Sequence, residues 1–484
     1  MEGESVMGPG EFGRLLHEFL EASLRLAPDE ESALVRRLRG HLGGGDIAAL
    51  PVLKRHLEPR DHPNLQLAFD RLREADGWTV ELVGVSSTFG MLELGLAGLT
   101  GDGAMPRGVP RPEIGPVEYE RVQLEPDRTI VCVVNALLLM RRGEQRAAAL
   151  VTRSERMMGG GQLKLEVVAP EAEEADALLA RIGALMNEHN VYRGCVLAFA
   201  RDREGGVSVQ IRDVPDVQRE SIVLPPGTLD RIERLAIGPA RHRERLVAAG
   251  RHLKRGVLLH GPPGTGKTTT AMYLVATMPE RTVLILTGDS LGLVEPACAL
   301  ARELEPATVV LEDVDLVAQE RTFDESGPVL FELLNEMDGL AGDADVLFLL
   351  TTNRPDVLEP ALAARPGRID EAVELPLPDA DGLRRLLALY SEGLDMRVSD
   401  LDAVIDRLDG ATPAHVKELL RKAALLAAEE REGPIVVEDR HVLEALEDLA
   451  AAIERIKERL FAEDEPGEED FPFPPDVELP RTPH

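Results

Sequence analysis

The sequence predicts an α/β protein. Its second half reads as a five-stranded parallel sheet with a helical lid, preceded by a helical region and a small α+β domain. Three observations carry this. Between residues 216 and 378 five short apolar stretches alternate with helical ones, the pattern of strands buried on both faces of a parallel sheet. The first of them, "GVLLH", runs straight into "GPPGTGKTTT" at residues 261–270, a glycine-rich turn that opens a helix. After Pro378 the strand-like stretches stop and helical periodicity takes over.

Taken in order, residues 1–112 read as mainly helical. "FGRLLHEFLEASLRLA" and "LQLAFDRLREA" carry apolar residues three and four apart. Within the first, "HEFLE" (His17 to Glu21) approaches the zinc-protease pattern H-E-x-x-H, but Glu21 stands where the second histidine is required. Without two imidazoles one turn apart there is no metal-binding face. The Gly- and Pro-rich stretch at residues 98–116 reads as a linker or long loop. Residues 113–215 read as an α+β domain: strands "RTIVCVVNALLLM", "AAALVT" and "KLEVVA", a helix "EEADALLARIGALMNEHN", then "GCVLAFA" and "VSVQIRD". Nothing in that block suggests chemistry. Residues 216–378 hold the five strands "RGVLLHG", "RTVLILTG", "TVVLED", "DVLFLLTTN" and "EAVELPLP". Residues 379–462 form the helical lid, where Thr412 suits an N-cap and Pro413 the first helical position of "TPAHVKELLRKAALLAAEE". Residues 463–484, acidic and Pro-rich, read as a disordered tail.

Composition narrows the function. A chain of 484 residues is too long for one core and implies two to four domains. A formal charge of −32 argues against a nucleic-acid partner, because most of the surface repels phosphate. Cys132, Cys195 and Cys298 fit neither a disulfide framework nor a metal site. The longest apolar run, residues 129–140, is too short to span a bilayer, and the amino terminus lacks the features of a signal peptide. The expected location is the cytoplasm, with no membrane span.

The chemistry starts at the glycine-rich loop. Gly261, Pro262, Pro263, Gly264, Thr265, Gly266, Lys267, Thr268 and Thr269 have the form of a phosphate-binding loop, whose backbone N–H groups and helix N-terminus converge on the phosphates of ATP. Lys267 reaches the β- and γ-phosphates, and the Thr268 hydroxyl ligates Mg²⁺. A glycine-rich turn without a ligand is the plain alternative; the filled positions in a strand–loop–helix setting weigh against it. About forty residues on, the strand "TVVLEDVDLV" ends on Glu312 and Asp313, with Asp315 two residues later. An acid pair at a strand's carboxyl end points at a metal and a phosphate. The plainer reading gives both jobs to one acid and leaves the other as a solvated strand-end charge.

These motifs, followed by "LLNEMDGL" at 333–340, the strand ending on Asn353, and "RPDVLEPALAARPGRID" at 354–370, together resemble the AAA family of P-loop ATPases, a branch of the AAA+ superfamily. The resemblance covers residues 216–460, about half the chain. By position it implies that Asn353 is the sensor-1 residue near the γ-phosphate and attacking water. It also implies that Arg365 and Arg368 are arginine fingers reaching a neighbouring subunit's ATP. A working enzyme is then a homo-oligomer, with a hexameric ring as the family's usual form. In the family's usual order the first acid holds Mg²⁺ through its water shell and the second positions the water. Glu312 is thereby the metal-side acid and Asp313 the water-side one, and this Glu-Asp order is similar to that of the mitochondrial AAA translocase for the Rieske iron–sulfur protein.

Besides the Glu-Asp order, one further departure and two absences shape the functional expectation. Relatives that thread polypeptides carry an aromatic–hydrophobic–glycine grip after the second strand, whereas residues 287–306 contain no aromatic; Leu291 and Leu293 are the candidates for a weaker grip. No H-E-x-x-H follows the ATPase motifs, and the sequence ends "RTPH" without a hydrophobic–tyrosine–any terminus. The expectation is a ring-forming ATPase that remodels or assembles an unidentified protein client, in a chaperone-like role. The alternatives are an unfoldase feeding a separate protease and a nucleotide-gated assembly scaffold with slow turnover.

Overall fold

The computed structural model describes residues 32–86, 95–100, 112–125, 127–154, 162–201, 207–213, 216–318, 335–336, 339, 344–356, 369–430 and 432–462. Arg365, Arg368, the helix and "HEFLE" stretch expected near the amino terminus, most of residues 333–340, and the tail at 463–484 lie outside them. The chain packs as two compact units. The first comprises residues 1–217, 230–260 and 268–374; the second, 218–229, 261–267 and 375–484. Among the described residues no helix is long and apolar enough to cross a membrane.

The first unit contains two large sheets. One is antiparallel and six-stranded, in the order β1 (Leu53–Leu57), β8 (Gln162–Val168), β7 (Gln145–Ser154), β6 (Ala136–Arg142), β2 (Thr79–Ser86), β3 (Glu113–Gly115). Helices cover both its faces, which explains the unbroken apolar run of β6. Leu138 and Met140 pack under the helices His62–Glu74 and Ala172–Glu188. Leu137 and Leu139 pack under the helix Ala33–His41 on the other side. The run "RTIVCVVNALLLM" is two strands, not one. Asn135 takes a left-handed conformation (φ 48°) between β6 and β5 (Arg128–Val134), and β5 pairs with β4 (Glu118–Glu125) as a separate ribbon. Asparagine tolerates that region through its short polar side chain.

The second sheet runs β10 (Val207–Arg212), β9 (Val196–Arg201), β12 (Thr282–Leu286), β13 (Ala307–Leu311), β14 (Val346–Thr352), β11 (Arg255–His260), β15 (Glu371–Glu374). Its last five strands are the five expected ones, all parallel. Every residue of β13 and β14 is buried, as strands covered on both faces require. The sheet is longer than expected, because "GCVLAFA" and "VSVQIRD" join it rather than the antiparallel sheet before it. Val196, Leu197 and Ala198 pair in parallel with Val283, Leu284 and Ile285, and Leu197 and Phe199 enter the core of the parallel sheet. The junction is also hydrogen-bonded: Gly194 N donates to Thr282 Oγ1 at 3.1 Å, and Arg193 Nη1 to the Glu305 carbonyl at 2.7 Å. An apolar strand adjacent in sequence to one sheet can cover the open edge of another, and periodicity does not say which. Likewise the expected helical region contributes β1 and β2 besides its helices.

The second unit is the helical lid. Helices Ala380–Tyr390, Leu401–Arg407, Pro413–Glu430 and Asp439–Ala462 enclose a core that includes Leu383, Leu387, Ile405, Val416, Leu420 and Ala445. A short parallel ladder, β16 (Asp395–Arg397) with β17 (Val436–Glu438), ties two of its connections together. The third helix begins at Pro413, and Thr412 Oγ1 accepts from His415 N at 3.3 Å, as its cap sequence predicts. By packing, the glycine-rich loop Gly261–Lys267 belongs to this unit.

Candidate nucleotide-binding site

The loop after β11 depends on glycine at three positions. Gly261, Gly264 and Gly266 have φ of 147°, 81° and 93°, which side chains rarely adopt. Space adds a second constraint at two of them. A Cβ on Gly261 would meet the Leu375 carbonyl oxygen at 2.3 Å, and one on Gly264 would meet Thr412 Oγ1 at 2.9 Å. Thr265 is buried and closes the turn by donating to the Pro262 carbonyl at 2.9 Å. Lys267 is also buried, and its ammonium donates to the carbonyls of Gly261 (2.9 Å) and Pro262 (2.8 Å). Pro263, Gly264, Thr268 and Thr269 are exposed, so the outer side of the turn, at the start of the helix Lys267–Ala276, is open to an anion.

The lid contributes a contact that sequence reasoning missed. Ala414 N, in the first turn of the helix Pro413–Glu430, donates to the Gly264 carbonyl at 3.3 Å. Thr412, read from sequence only as a helix cap, is thus also a neighbour of the loop.

The acid pair sits at the end of β13. Glu312 N donates to the Leu286 carbonyl of β12 at 3.0 Å. Asp313 then turns into the left-handed region (φ 49°), pinned from β14 by a bond from its own N–H to Thr351 Oγ1 at 3.0 Å. Backbone of that kind costs about 1–3 kcal/mol and collects at functional positions. The two carboxylates consequently have different neighbours. Glu312 lies beside Thr268, whose hydroxyl favours the charged carboxylate. Asp313 Oδ1 accepts from Asn353 Nδ2 at 3.2 Å.

Burial pushes the Glu312 carboxyl above its ordinary range; the Thr268 hydroxyl opposes the shift and the charge of Asp313 adds to it. Glu312 Oε1 is buried without a hydrogen-bond partner. A buried carboxylate oxygen left over beside a threonine hydroxyl is a donor set that suits hydrated Mg²⁺, which takes one or two protein oxygens and keeps several waters. Asp315, whose role the sequence did not disclose, is the support behind Asn353. Its Oδ1 accepts from Thr352 Oγ1 at 2.8 Å and from Asn353 N at 3.1 Å, and it is buried. The only sequence signal for it was its place two residues past the pair.

The loop read as a weak substrate grip is something else. Residues 288–293 form a short helical turn in which Ser290 Oγ accepts from Thr287 N at 2.7 Å. Leu291 and Leu293 are 0% and 4% exposed and lie in the core of the parallel sheet. Both are cores of the turn, not exposed grips, because β9 has extended the sheet over this region.

Residues 257–377 match the family described as "ATPase family associated with various cellular activities (AAA)". Residues 257–377 are thus similar to an AAA ATPase domain. Similar proteins include proteasome-activating nucleotidases from Methanococcus maripaludis (32% identical over 249 residues, 49% of this chain and 56% of that one), Thermococcus onnurineus (30% over 236 residues, 46% and 58%) and Pyrococcus horikoshii (33% over 215 residues, 42% and 54%). The matched stretch spans little more than half the length of each of them. The AAA match ends within the start of the lid and leaves the antiparallel sheet and its helices unmatched.

Proposed function

We propose that this chain is an ATP hydrolase which assembles into a ring, a hexamer by family resemblance, and couples turnover to remodelling or assembly of a protein client in the cytoplasm. The observation that carries the reading is the difference in neighbours at the acid pair: Glu312 lies beside Thr268, whereas Asp313 accepts from Asn353. The loop amides and Lys267 bind the triphosphate. Thr268 and Glu312 would hold Mg²⁺, which would supply positive charge to offset that of the phosphates. Asp313 takes the proton of the attacking water while Asn353 orients it. Arg365, with Arg368, completes the site of the next subunit.

The order Glu312–Asp313 is the feature shared with the mitochondrial translocase of a folded iron–sulfur protein, and it favours a client handled folded or assembled. The relatives' name, proteasome-activating nucleotidase, supports a second reading, an unfoldase acting for a protease. The burial of Leu291 and Leu293 weighs against it, since a threading loop needs exposed side chains to grip.

A mixing experiment tests the ring mechanism. Arg365→Ala alone binds ATP and does not hydrolyse it. Mixed with Lys267→Ala subunits it regains part of the activity, because one type of interface then carries both an intact loop and an intact finger. Normal hydrolysis by Arg365→Ala alone contradicts the proposal.

A further inference from the structure

We propose that His62 is an acid-operated latch: the ribbon β4–β5 stays closed on the helix His62–Glu74 while the imidazole is neutral, and opens when the ring takes a proton. The helix grips the ribbon at one residue. Val133 N donates to Gln66 Oε1 at 3.0 Å, and the Val133 carbonyl lies 2.9 Å from His62 Nε2. A carbonyl only accepts, so Nε2 carries the proton of the neutral ring and Nδ1 is a bare lone pair. His62 is 2% exposed, and its Nδ1 is buried with no hydrogen-bond partner among the described residues. Across the seam Glu120 Oε2 of β4 stands 3.6 Å from it, one acceptor facing another.

A proton on Nδ1 has to share its carboxylate with another cation. Arg153, at the end of β7, already pairs with the same Glu120 oxygen. Burial holds the imidazole below its ordinary value; the Val133 carbonyl and Glu120 oppose that shift and Arg153 adds to it. Cys132 of β5 and Asp70 of the helix belong to the same seam. Burial, then Glu120 and Asp70, push the Cys132 thiol up to about 12, so it brings no charge of its own in the physiological range. Opening the seam lets the ring regain its ordinary value. Closure is therefore complete above that value and is lost as the pH falls from it toward the depressed one, by up to about tenfold per pH unit. The ribbon's inner face is apolar: Leu124 lies in the core of the parallel sheet, with Val122 and Ile130 packed against it. The latch thus puts an apolar seam of the ATPase sheet under the control of one proton.

The test is backbone hydrogen exchange of the full chain at about pH 7.5 and about pH 5.5, with rates scaled for the intrinsic effect of pH. Protection of residues 118–134 falls by about tenfold at the lower pH, while residues 307–311 of β13 keep theirs. His62→Gln, whose amide donates to the Val133 carbonyl and takes no proton, keeps the ribbon protected at both values. If that variant does not fold, the unaltered chain still decides. Deuterium exchange at the imidazole C2 carbon, read on the peptide that contains His62, reports the titration of that ring, and its midpoint falls below the ordinary histidine value. Three results overturn the latch: ribbon protection that ignores pH, a His62→Gln variant that loses protection in acid as the parent does, or a midpoint at or above the ordinary value. The last would show Glu120 closing on the imidazolium instead.

Discussion

Asn353 donates its side-chain amide to Asp313 across the ends of two neighbouring strands, 3.2 Å from Nδ2 to Oδ1. Asp315, two residues beyond the acid pair, fixes the backbone of the same asparagine through a bond from Asn353 N at 3.1 Å. Asp313 and Asn353 are thus held by one network running through Thr351, Thr352 and Asp315. Asn353→Ala should lower kcat by about 10²-fold with little change in the ATP concentration for half-saturation, because positioning is lost and ground-state binding is not. Steady-state ATPase kinetics check this.

Asp315 separates support from chemistry. Asp315→Ala leaves the buried Thr352 hydroxyl and Asn353 N–H without their acceptor, at about 1–3 kcal/mol in stability. Asp315→Asn keeps a carbonyl oxygen and should recover most of the stability and part of kcat. Thermal unfolding and turnover, measured on both variants, test whether the two recover together.

Gly264→Ala places a methyl at φ 81° and 2.9 Å from Thr412 Oγ1. The backbone conformation alone costs about 1–2 kcal/mol, and the loop must shift to relieve the contact. ATP affinity should fall by at least about tenfold in equilibrium titration. Thr412→Ser in the same background relieves little, since the crowding atom remains.

The raised pKa of Glu312 has a pH consequence. In the folded chain this carboxyl takes up a proton at higher pH than in the unfolded chain, so its charged form destabilises the nucleotide-free fold above the folded pKa. Glu312→Gln should therefore melt higher than the parent near neutral pH without nucleotide. The advantage should shrink as the pH falls through the raised pKa into the acid range. Melting curves at several pH values decide it, and an advantage independent of pH points to another cause.

The buried leucines of residues 288–293 bear on the client. The purified protein should leave a tagged, stably folded fluorescent β-barrel intact in the presence of ATP. Rapid ATP-driven loss of fluorescence would promote the unfoldase reading.

Much of this was legible in the sequence where local rules act alone. The five parallel strands, the loop glycines and the cap at Thr412 follow from periodicity, φ requirements and capping chemistry within a few residues. What was not legible depends on pairing over long separations. The β9–β12 pairing joins strands that local pattern assigned to different domains. The buried cluster at the strand starts was equally hidden: Arg281 Nη1 donates to Asp345 Oδ1 at 2.7 Å, and Arg255 Nη1 lies 3.7 Å from the same oxygen. Burial pushes Arg255 down to about 10, with Arg281 adding to the effect and Asp345 opposing it. Each charge stands at or just before the start of an apolar strand, and only the sheet order brings them together. Asp315 likewise reads as one more acid until Asn353 lies beside it.

The division of labour between Glu312 and Asp313 is tested most directly by ATP turnover against Mg²⁺ concentration for Glu312→Gln and Asp313→Asn. Asp313→Asn should bind ATP, assemble, and turn over at least about 10²-fold more slowly at every Mg²⁺ concentration. Glu312→Gln should approach the parent's rate once Mg²⁺ is raised. A Glu312→Gln enzyme dead at all Mg²⁺ concentrations, beside an Asp313→Asn enzyme that matches the parent, would show that the two roles are reversed.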